Sequence, residues 1–327
     1  MTVRRRHLLL GALPATGLLA LASPAARAQA WPSRPIRLIV GYSPGGAVDI
    51  IARAVAQPLS ATLGQPVVVE NKPGAGTNIA NRQLIDSTPD GHTLMLAANA
   101  IAANVSLYQP PPYDLAKDVT PISQVGRVPV VIAANAQAEP ASLAKLIAMS
   151  KAKPGVVNFA THGNGSTPHL AVELFARAAG IDLTHLPYKG GSQAINDVLA
   201  GHVQTVAVNA LEVQPHVKNG KLRVLAVLSP QRTAIFPDTP SIAEAGYPGF
   251  EASVWYGFIG PTGLPAPVVQ RLHAEIQRAL SMPEVRDRLI AAGGEVTPGP
   301  SEQFAALLSR EKARYEKLIR EARIQPD

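Results

Sequence analysis

The 327-residue chain contains no cysteine. This absence excludes disulfides, thiolate metal sites, a cysteine nucleophile and a lipid anchor on an N-terminal cysteine. Aromatic residues make up 5% of the chain, which disfavours a surface that stacks nucleic-acid bases. Charged residues make up 16%, and no long acidic or basic block occurs. With 46% hydrophobic residues, the composition is typical of a globular protein with substantial cores.

The net charge of +7 does not indicate a nucleic-acid partner. Four arginines (Arg4, Arg5, Arg6 and Arg27) lie in the first 30 residues, and the remainder carries 26 basic and 23 acidic residues. No basic cluster with interleaved aromatics occurs elsewhere. The sequence also lacks a His-Glu-x-x-His spacing, a phosphate loop ending in Gly-Lys-Ser/Thr and a complete dinucleotide glycine motif. We therefore expect no metal, no cofactor and no nucleic acid.

The first 30 residues have the three parts of a secretory signal peptide. Arg4–Arg6 form a positive start, residues 8–21 are mostly apolar, and small residues surround possible cleavage sites at Ala28 and Ala30. The apolar run is too short and interrupted to suit a membrane span. Arg5-Arg6-His7-Leu8-Leu9 also fits the twin-arginine export pattern, so the general and twin-arginine routes both stay open. We expect a mature protein in the periplasm.

Short apolar runs alternate with helical patterns along the mature chain. Ile36–Val40 is rich in β-branched residues, as in a buried strand, and the apolar residues from Val48 to Leu59 share one face of a helix. The length suits two domains better than one. Because strands alternating with helices form largely parallel sheets, the fold class is predicted as α/β. Further strands are predicted at 66–70, 93–97, 156–160, 183–186 and 203–208.

The alternation occurs twice in the same order, which predicts two similar lobes. Each copy runs strand, glycine loop, helix, strand, glycine loop, helix and strand. The last strand of each copy leads to an asparagine, Asn99 in the first and Asn209 in the second. Two further strand-like runs, 125–132 and 255–259, are the predicted crossing strands of a hinge between the lobes.

Glycine loops follow the predicted strands at the ends where open parallel sheets bind ligands. The loops Ser43–Gly46 and Gly163–Thr167 each lead into a helix N-terminus. The first N–H groups of a helix lack internal partners and the helix dipole is positive there, so such an end can bind a carboxylate or phosphate. One loop alone could be a tight turn with a serine cap. Two loops that oppose each other across a cleft predict an anion-binding site.

Three titratable residues lie beside these loops. Asp49 stands near the start of the first helix, where it could cap the helix, support the loop or accept a hydrogen bond from the ligand. His162 and His169 flank the second loop. Each could be packed within the protein or could contact the ligand directly.

One motif suggests an alternative, a secreted serine hydrolase. Gly41-Tyr42-Ser43-Pro44-Gly45 matches Gly-x-Ser-x-Gly and lies between a strand and a helix, as a nucleophile elbow does. The residue after the nucleophile normally donates its N–H to the oxyanion hole, but here it is Pro44, which has none. The motif also follows the first mature strand, earlier than a hydrolase elbow normally lies. The hydrolase is therefore the weaker hypothesis.

A series of motifs covers nearly all of the mature chain. The most distinctive is Leu63–Gly76, with the sequence Leu-Gly-Gln-Pro-Val-Val-Val-Glu-Asn-Lys-Pro-Gly-Ala-Gly. The others are Trp31–Val40, Ser43–Gly46 with Asp49 and Ala52-Arg53, Pro89–Gly91, Pro112–Asp114, His169-Leu170, Pro187–Gly190, Gly220–Val227, Glu244–Gly246 and Trp255–Gly257. In this order they resemble the substrate-binding receptors of tripartite tricarboxylate transporters, also called the Bug receptor family.

The resemblance implies a type II periplasmic-binding-protein fold, in which a two-strand hinge joins two α/β lobes with the ligand cleft between them. Lobe 1 would comprise residues 31–127 and 255–327, and lobe 2 residues 128–254. The implied function is that of a receptor, not an enzyme, which captures a small carboxylate and delivers it to a large and a small membrane permease subunit. The alternative that the receptor signals to a sensor partner instead of serving transport also stays open. We expect a monomer.

In such receptors, loop backbone groups, hydroxyls and ordered waters hold the carboxylate. This sequence departs from the usual pattern at Thr77 and His162, where smaller residues are common, and at Asn209, near a position that is often acidic. These departures leave the ligand open among citrate-like, dicarboxylic amino-acid, aromatic and nicotinate-like acids. The candidate ligand-binding residues are Tyr42, Ser43, Gly45, Gly46, Asp49, Ala75, Gly76, Thr77, Asn99, His162, Gly163, Gly165, Ser166, Thr167, His169 and Asn209.

Overall fold

A computed structural model describes residues 31–233, 235–248, 250, 252–291, 294–322 and 324–326. The signal peptide predicted at 1–30 lies outside these residues. The strands are β1 (Ile36–Val40), β2 (Val67–Asn71), β3 (Thr93–Ala98), β4 (Val119–Asn135), β5 (Asn158–Thr161), β6 (Thr184–Pro187), β7 (Thr205–Asn209), β8 (Leu222–Val227), β9 (Ser253–Pro261) and β10 (Glu295–Gly299).

The helices are α1 (Ala47–Leu63), α2 (Asn78–Ile85), α3 (Ala100–Leu107), α4 (Leu115–Asp118), α5 (Leu143–Ala152), α6 (Thr167–Ala179), α7 (Gly191–Leu199), α8 (Ala210–Lys218), α9 (Ala266–Ser281), α10 (Pro283–Ala291) and α11 (Ser301–Ala322). A short 3₁₀ turn, Ala75–Thr77, precedes α2. Within the described part of the chain, no helix combines the length and the apolar character that a bilayer crossing requires.

Two parallel triplets of strands form the two lobes. In the first, β1 lies between β2 and β3, and in the second, β5 lies between β6 and β7, with every pairing parallel. Each central strand is hydrophobic and buried, as Ile39 and Phe159 illustrate, because helices cover both faces of such a sheet. The matched strand order, β2-β1-β3 and β6-β5-β7, confirms the prediction of two similar units.

The long strand β4 connects the two triplets. Its residues Val119–Pro129 pair with β9 in antiparallel fashion, and β9 in turn pairs with β3 of the first triplet. From Val130 onwards β4 pairs instead with β7 of the second triplet and with β8. The predicted strand at 125–132 is therefore confirmed as one that crosses between the lobes, and 255–259 lies inside β9.

The sequence patterns missed two helices next to the cleft. Helices α3 and α8 begin directly after Asn99 and Asn209, at the ends of β3 and β7. No glycine or proline separates either strand from its helix. The asparagines, predicted as the ends of matching strands, are therefore also the residues that start matching helices.

Packing between β9 and α11 leaves no room for a side chain at Gly257. A Cβ there would lie 2.2 Å from Cζ of Phe304, whose ring is fully buried.

Gly257→Ala should lower the free energy of unfolding by about 1–3 kcal/mol through overpacking, measured by chemical denaturation. Adding Phe304→Leu removes the ring atoms that clash, so Gly257→Ala should cost less in that background. An equal cost in both backgrounds would contradict the packing explanation.

Candidate functional site

Loops from the two triplets meet at the carboxyl ends of their parallel strands, where ligands bind in open α/β sheets. The β1–α1 loop, residues 41–46, contacts the β6–α7 loop, residues 188–190. The Ser43 hydroxyl donates a hydrogen bond to the Lys189 carbonyl (3.3 Å). The Ser192 hydroxyl donates to the Pro44 carbonyl (3.4 Å). The two lobes are therefore in direct contact at one end of the cleft.

A second pair of loops meets beside the first. The turn 74–77 lies opposite the β5–α6 loop, residues 162–166, because a Cβ on Gly76 would lie 3.5 Å from the Asn164 carbonyl. Gly165 of the same loop packs against Leu107 of α3. Ala75 and Thr77 both have positive φ angles, 47° and 78°, which non-glycine residues adopt rarely and which often occur at functional sites. The turn 74–77 and the predicted glycine loop Gly163–Thr167 thus lie on facing sides of one cleft, whereas the other predicted loop, Ser43–Gly46, contacts the β6–α7 loop.

The cleft contains two adjoining compartments. The outer one has a volume of about 140 Å³, and the inner one of about 20 Å³ is large enough for roughly one water molecule. Tyr42, His162 and Ser166 line both. The outer compartment is further lined by Gly41, Gly74, Ala75, Gly76, Thr77, Ala100, Gly163, Asn164, Tyr188 and Lys189. The inner compartment is further lined by Gly46, Ala47, Val48, Ala98, Thr167, Pro168, Gly191, Asn209, Glu212, Val254 and Tyr256.

A carboxylate of the protein itself lies at the start of α1. Glu212 of α8 accepts a hydrogen bond from the Ala47 N–H (2.6 Å) and lies 2.7 Å from Nε2 of His162. Only 2% of the Glu212 side chain is exposed. The positive end of the α1 dipole and the imidazole compensate this buried charge. The first-turn N–H that the sequence assigned to a ligand anion is thus already bonded to Glu212.

Three buried polar atoms beside Glu212 have no hydrogen-bond partner in the protein. They are Nδ1 of His162, whose side chain is 7% exposed, Oδ1 of Asn209 and the hydroxyl oxygen of Tyr256. Burial raises the pKa of the Tyr256 and Tyr42 hydroxyls, and the nearby Glu212 carboxylate raises the pKa of both further. Because buried polar atoms nearly always have partners, these atoms are available to a bound group or to water.

Gly191 allows the His162–Glu212 pair to form. A Cβ at this position would lie 2.5 Å from Oε2 of Glu212 and 2.7 Å from Nε2 of His162. Either contact is too short for a side chain to be accommodated without movement of the pair. The glycine in the predicted loop 189–192 therefore lets α7 pack directly over a buried ion–imidazole contact.

Asp49 stabilises the first loop through hydrogen bonds. Its carboxylate accepts hydrogen bonds from the Gly45 N–H (3.0 Å), from Arg53 (3.0 Å) and from the Asn71 amide (3.0 Å). Burial alone would raise the pKa of Asp49, but these hydrogen bonds outweigh it and hold the pKa below its usual value. Of the roles left open by the sequence, loop support matches these contacts.

His169 lies beneath the second loop and not on its surface. Its Nδ1 accepts a hydrogen bond from the Gly165 N–H (3.1 Å), and its ring stacks on His185 at 3.8 Å between centroids. Burial lowers the pKa of His169 to about 4, so the ring is neutral and can accept that bond. The Ser166 hydroxyl caps α6 by accepting from the His169 N–H (3.4 Å).

Asn99 is engaged in the core and does not line either compartment. Its amide donates to the Tyr315 hydroxyl (2.6 Å), and its oxygen accepts from the Trp255 N–H (2.9 Å). Asn209, its counterpart in the second lobe, does line the inner compartment. The structure thus separates the predicted residues into two groups. Tyr42, Gly46, Ala75, Gly76, Thr77, His162, Gly163, Ser166, Thr167 and Asn209 line the cleft, whereas Ser43, Gly45, Asp49, Asn99, Gly165 and His169 do not.

Sequence reasoning missed Glu212, Gly191, Tyr188, Lys189 and Tyr256 as residues of the cleft. For Glu212 a signal was present, because Asn209 followed three residues later by glutamate is a helix-start pattern. That pattern predicts a helix at 210 but does not predict a partner at Ala47, which lies 165 positions away.

The Asp49 contacts predict a pH-dependent contribution to stability. Because the folded-state pKa is lowered, the carboxylate stabilises the protein at neutral pH, and this stabilisation is lost as the pH falls below the usual Asp value of about 4. Asp49→Asn should lower the free energy of unfolding by about 1–2 kcal/mol at neutral pH, and the difference should shrink in acid. Asp86→Asn, at an exposed ion pair with Arg82, is the control. A difference that stays constant down to acid pH would contradict this role.

Comparison with known proteins identifies relatives along nearly the whole chain. The sequence model of the family described as "Tripartite tricarboxylate transporter family receptor" matches residues 51–324. Protein BugT of Bordetella pertussis (strain Tohama I) is 38% identical over 296 residues, which cover 90% of this chain and 91% of BugT.

Solved structures have the same fold. The periplasmic binding protein BugD matches with a TM-score of 0.86 and 32% identity, covering 91% of this chain and all of BugD. The R. palustris protein Rpa4515, solved with adipate, matches with the same score, identity and coverage. These matches confirm the predicted fold of two α/β lobes. The chain therefore belongs to the tripartite tricarboxylate transporter receptor family, a family of solute-binding receptors, as its sequence motifs predicted.

Proposed function

We propose that this chain is a periplasmic receptor that holds a small carboxylic acid in the outer compartment of the cleft. The observation that carries this proposal is a cavity of about 140 Å³ between facing loops, each at the carboxyl end of a strand. The loops contribute backbone N–H groups at helix starts, and Lys189 adds a cation at the edge of the cavity. Adipate in the R. palustris relative is an acid of a suitable size class.

Within this proposal the predicted residues divide by role. Ala75, Gly76 and Thr77 on one side and Gly163 and Ser166 on the other contact the acid in the outer compartment. Asp49 holds the β1–α1 loop in shape through the Gly45 N–H, and His169 holds the β5–α6 loop through the Gly165 N–H. Ser43 contributes through its bond to the Lys189 carbonyl, which joins the two lobes.

We assign residues 31–127 with 255–327 to one lobe and residues 128–254 to the other. This boundary is supported by β4, which pairs with β9 up to Pro129 and with β7 from Val130. Contacts of the ligand with both lobes would drive closure about the crossing strands. We further propose export through the leader with cleavage near Ala28 or Ala30, a monomeric receptor, and delivery of the acid to large and small membrane permease subunits.

Carboxylate binding should raise the melting temperature of the purified protein. At an acid concentration of 100 times Kd the gain is about 2.7 kcal/mol, or roughly 4 °C for a chain of this size. The measurement is a thermal-shift screen of mono-, di- and tricarboxylic acids, followed by calorimetric titration. The uncharged amide of each active acid is the control and should not bind. Equal binding of acid and amide, or no shift with any acid, would contradict the proposal.

The proposal also excludes hydrolysis at Ser43. The Ser43 hydroxyl donates to a backbone carbonyl and not to a base, and Pro44 supplies no N–H for an oxyanion. We expect the protein to hydrolyse p-nitrophenyl acetate no faster than a non-enzymatic protein at the same concentration does. Ester hydrolysis that disappears in Ser43→Ala would show that the chain is a hydrolase.

A further inference from the structure

The cleft has opposite charges at its two ends. Among the described residues that line either compartment, Lys189 is the one lysine or arginine, and it belongs to the outer compartment. Glu212 is the one acidic residue among them, and it belongs to the inner compartment. A ligand that extends from one end to the other therefore meets a cation at the outer end and a carboxylate at the inner end.

We propose that Glu212 determines ligand specificity: the inner end of the cleft accepts a hydrogen-bond donor, and only the outer end accepts a carboxylate. The preferred ligand class is then a carboxylic acid with an ammonium or hydroxyl group at its far end, in preference to a simple dicarboxylate. This inference rests on the proposed function, because it assumes that the outer compartment binds an acid.

The first step of the argument is that Glu212 occupies the anion position of α1. Its Oε1 accepts from the Ala47 N–H, and its Oε2 lies against His162 and 3.4 Å from the Asn209 N–H. A ligand carboxylate in the inner compartment would compete with Glu212 for the same helix end. It would also lie beside a like charge in a buried site, which disfavours binding.

The second step concerns the hydrogen-bond partners that remain. A carboxylate oxygen accepts only, so Nε2 of His162 is the donor in its contact with Glu212. In the neutral ring Nδ1 is then an acceptor, and it is buried without a partner. Glu212 and Nδ1 of the neutral His162 ring thus both offer acceptors, and the Tyr256 hydroxyl can either accept or donate. An ammonium is complementary to the acceptors, and a hydroxyl can in addition accept from Tyr256.

The third step is size. The inner compartment has a volume of about 20 Å³, which holds about one water-sized group. An ammonium or a hydroxyl head has that size, whereas a carboxylate has two oxygens, both of which need donors. Tyr42 and Tyr256 are the other titratable groups that face Glu212, and the carboxylate raises the pKa of each, after burial, so its charge acts across the compartment.

Matched ligands of equal chain length test this inference. The six-carbon set is adipate, 6-aminohexanoate and 6-hydroxyhexanoate, and the four-carbon set is succinate, 4-aminobutanoate and 4-hydroxybutanoate. Calorimetric titration of the wild type should show the amino or hydroxy acid binding about tenfold or more tightly than the dicarboxylate of the same set. In Glu212→Gln this preference should fall by about tenfold.

Two further variants guard against effects on folding. Glu275→Gln removes another largely buried carboxylate, with 9% of its side chain exposed, that lies on α9 away from the lining, and it should leave the preference unchanged. Glu212→Asp keeps the charge and should retain the preference even if overall affinity falls. Loss of the preference in Glu275→Gln would show that it does not depend on the cleft, and would overturn the inference.

The outcomes separate the inference from the function on which it rests. If the wild type binds a dicarboxylate as tightly as its amino and hydroxy partners, or if Glu212→Gln leaves the ratio unchanged, the inference is wrong and the receptor function stands. If hexanoate or butanoate binds as tightly as the donor-bearing acids, water fills the inner compartment and the inference is also wrong. If the wild type binds no acid at all, both fail.

Discussion

The buried carboxylate of Glu212 connects three segments that lie far apart in the sequence. It joins the first turn of α1, the imidazole at the end of β5 and the start of α8 in one contact. A buried carboxylate without partners would be strongly destabilising, so the loops that bring Ala47 and His162 to it must adopt compatible positions. Gly191 is part of this constraint, since any side chain there would collide with the pair. The inner compartment of the cleft is therefore built around this one charge.

The repeated topology explains why so many functional groups converge. Each triplet of parallel strands ends in loops at one edge of its sheet, and β4 brings the two edges together by pairing with both halves. Backbone N–H groups at helix starts supply the positive potential that an acid requires, so few cations are needed. Asp49 and His169 play a similar part in the individual loops. Asp49 fixes the Gly45 N–H and His169 fixes the Gly165 N–H, each at a defined position.

Much of this architecture could be predicted from the sequence, because it depends on local patterns. The strand at 36–40, the helix that ends at Gly64 and the order of the repeat were all visible in spacing and turn residues. Helix α3 was not, since it follows its strand without a turn signal, whereas α8 had a helix-start signal in Asn209 and Glu212. The different positions of the Asn99 and Asn209 side chains could not be predicted either. Asn99 is held by Tyr315 and Trp255, partners that no local pattern indicates.

The charge of the inner compartment was the main feature that the sequence did not indicate. Glu212 has the spacing of an ordinary helix cap, and its role depends on a contact across 165 positions of sequence. The expectation that two glycine loops alone bind an anion was therefore incomplete: the first helix start carries an anion of the protein, which leaves a cleft with distinct ends. If Glu212 sets the ligand preference as we propose, selectivity in this receptor follows from a fixed internal charge, in addition to the shape of the loops.

The most direct measurement is a crystal structure of the protein with the most tightly bound acid. The ligand carboxylate should lie in the outer compartment, within hydrogen-bond distance of the 75–77 and 163–167 loops. Glu212 should remain on the Ala47 N–H, with a ligand donor group on Nδ1 of His162 or on Glu212 itself. A ligand carboxylate bonded to the Ala47 N–H, with Glu212 displaced from it, would contradict the central claim.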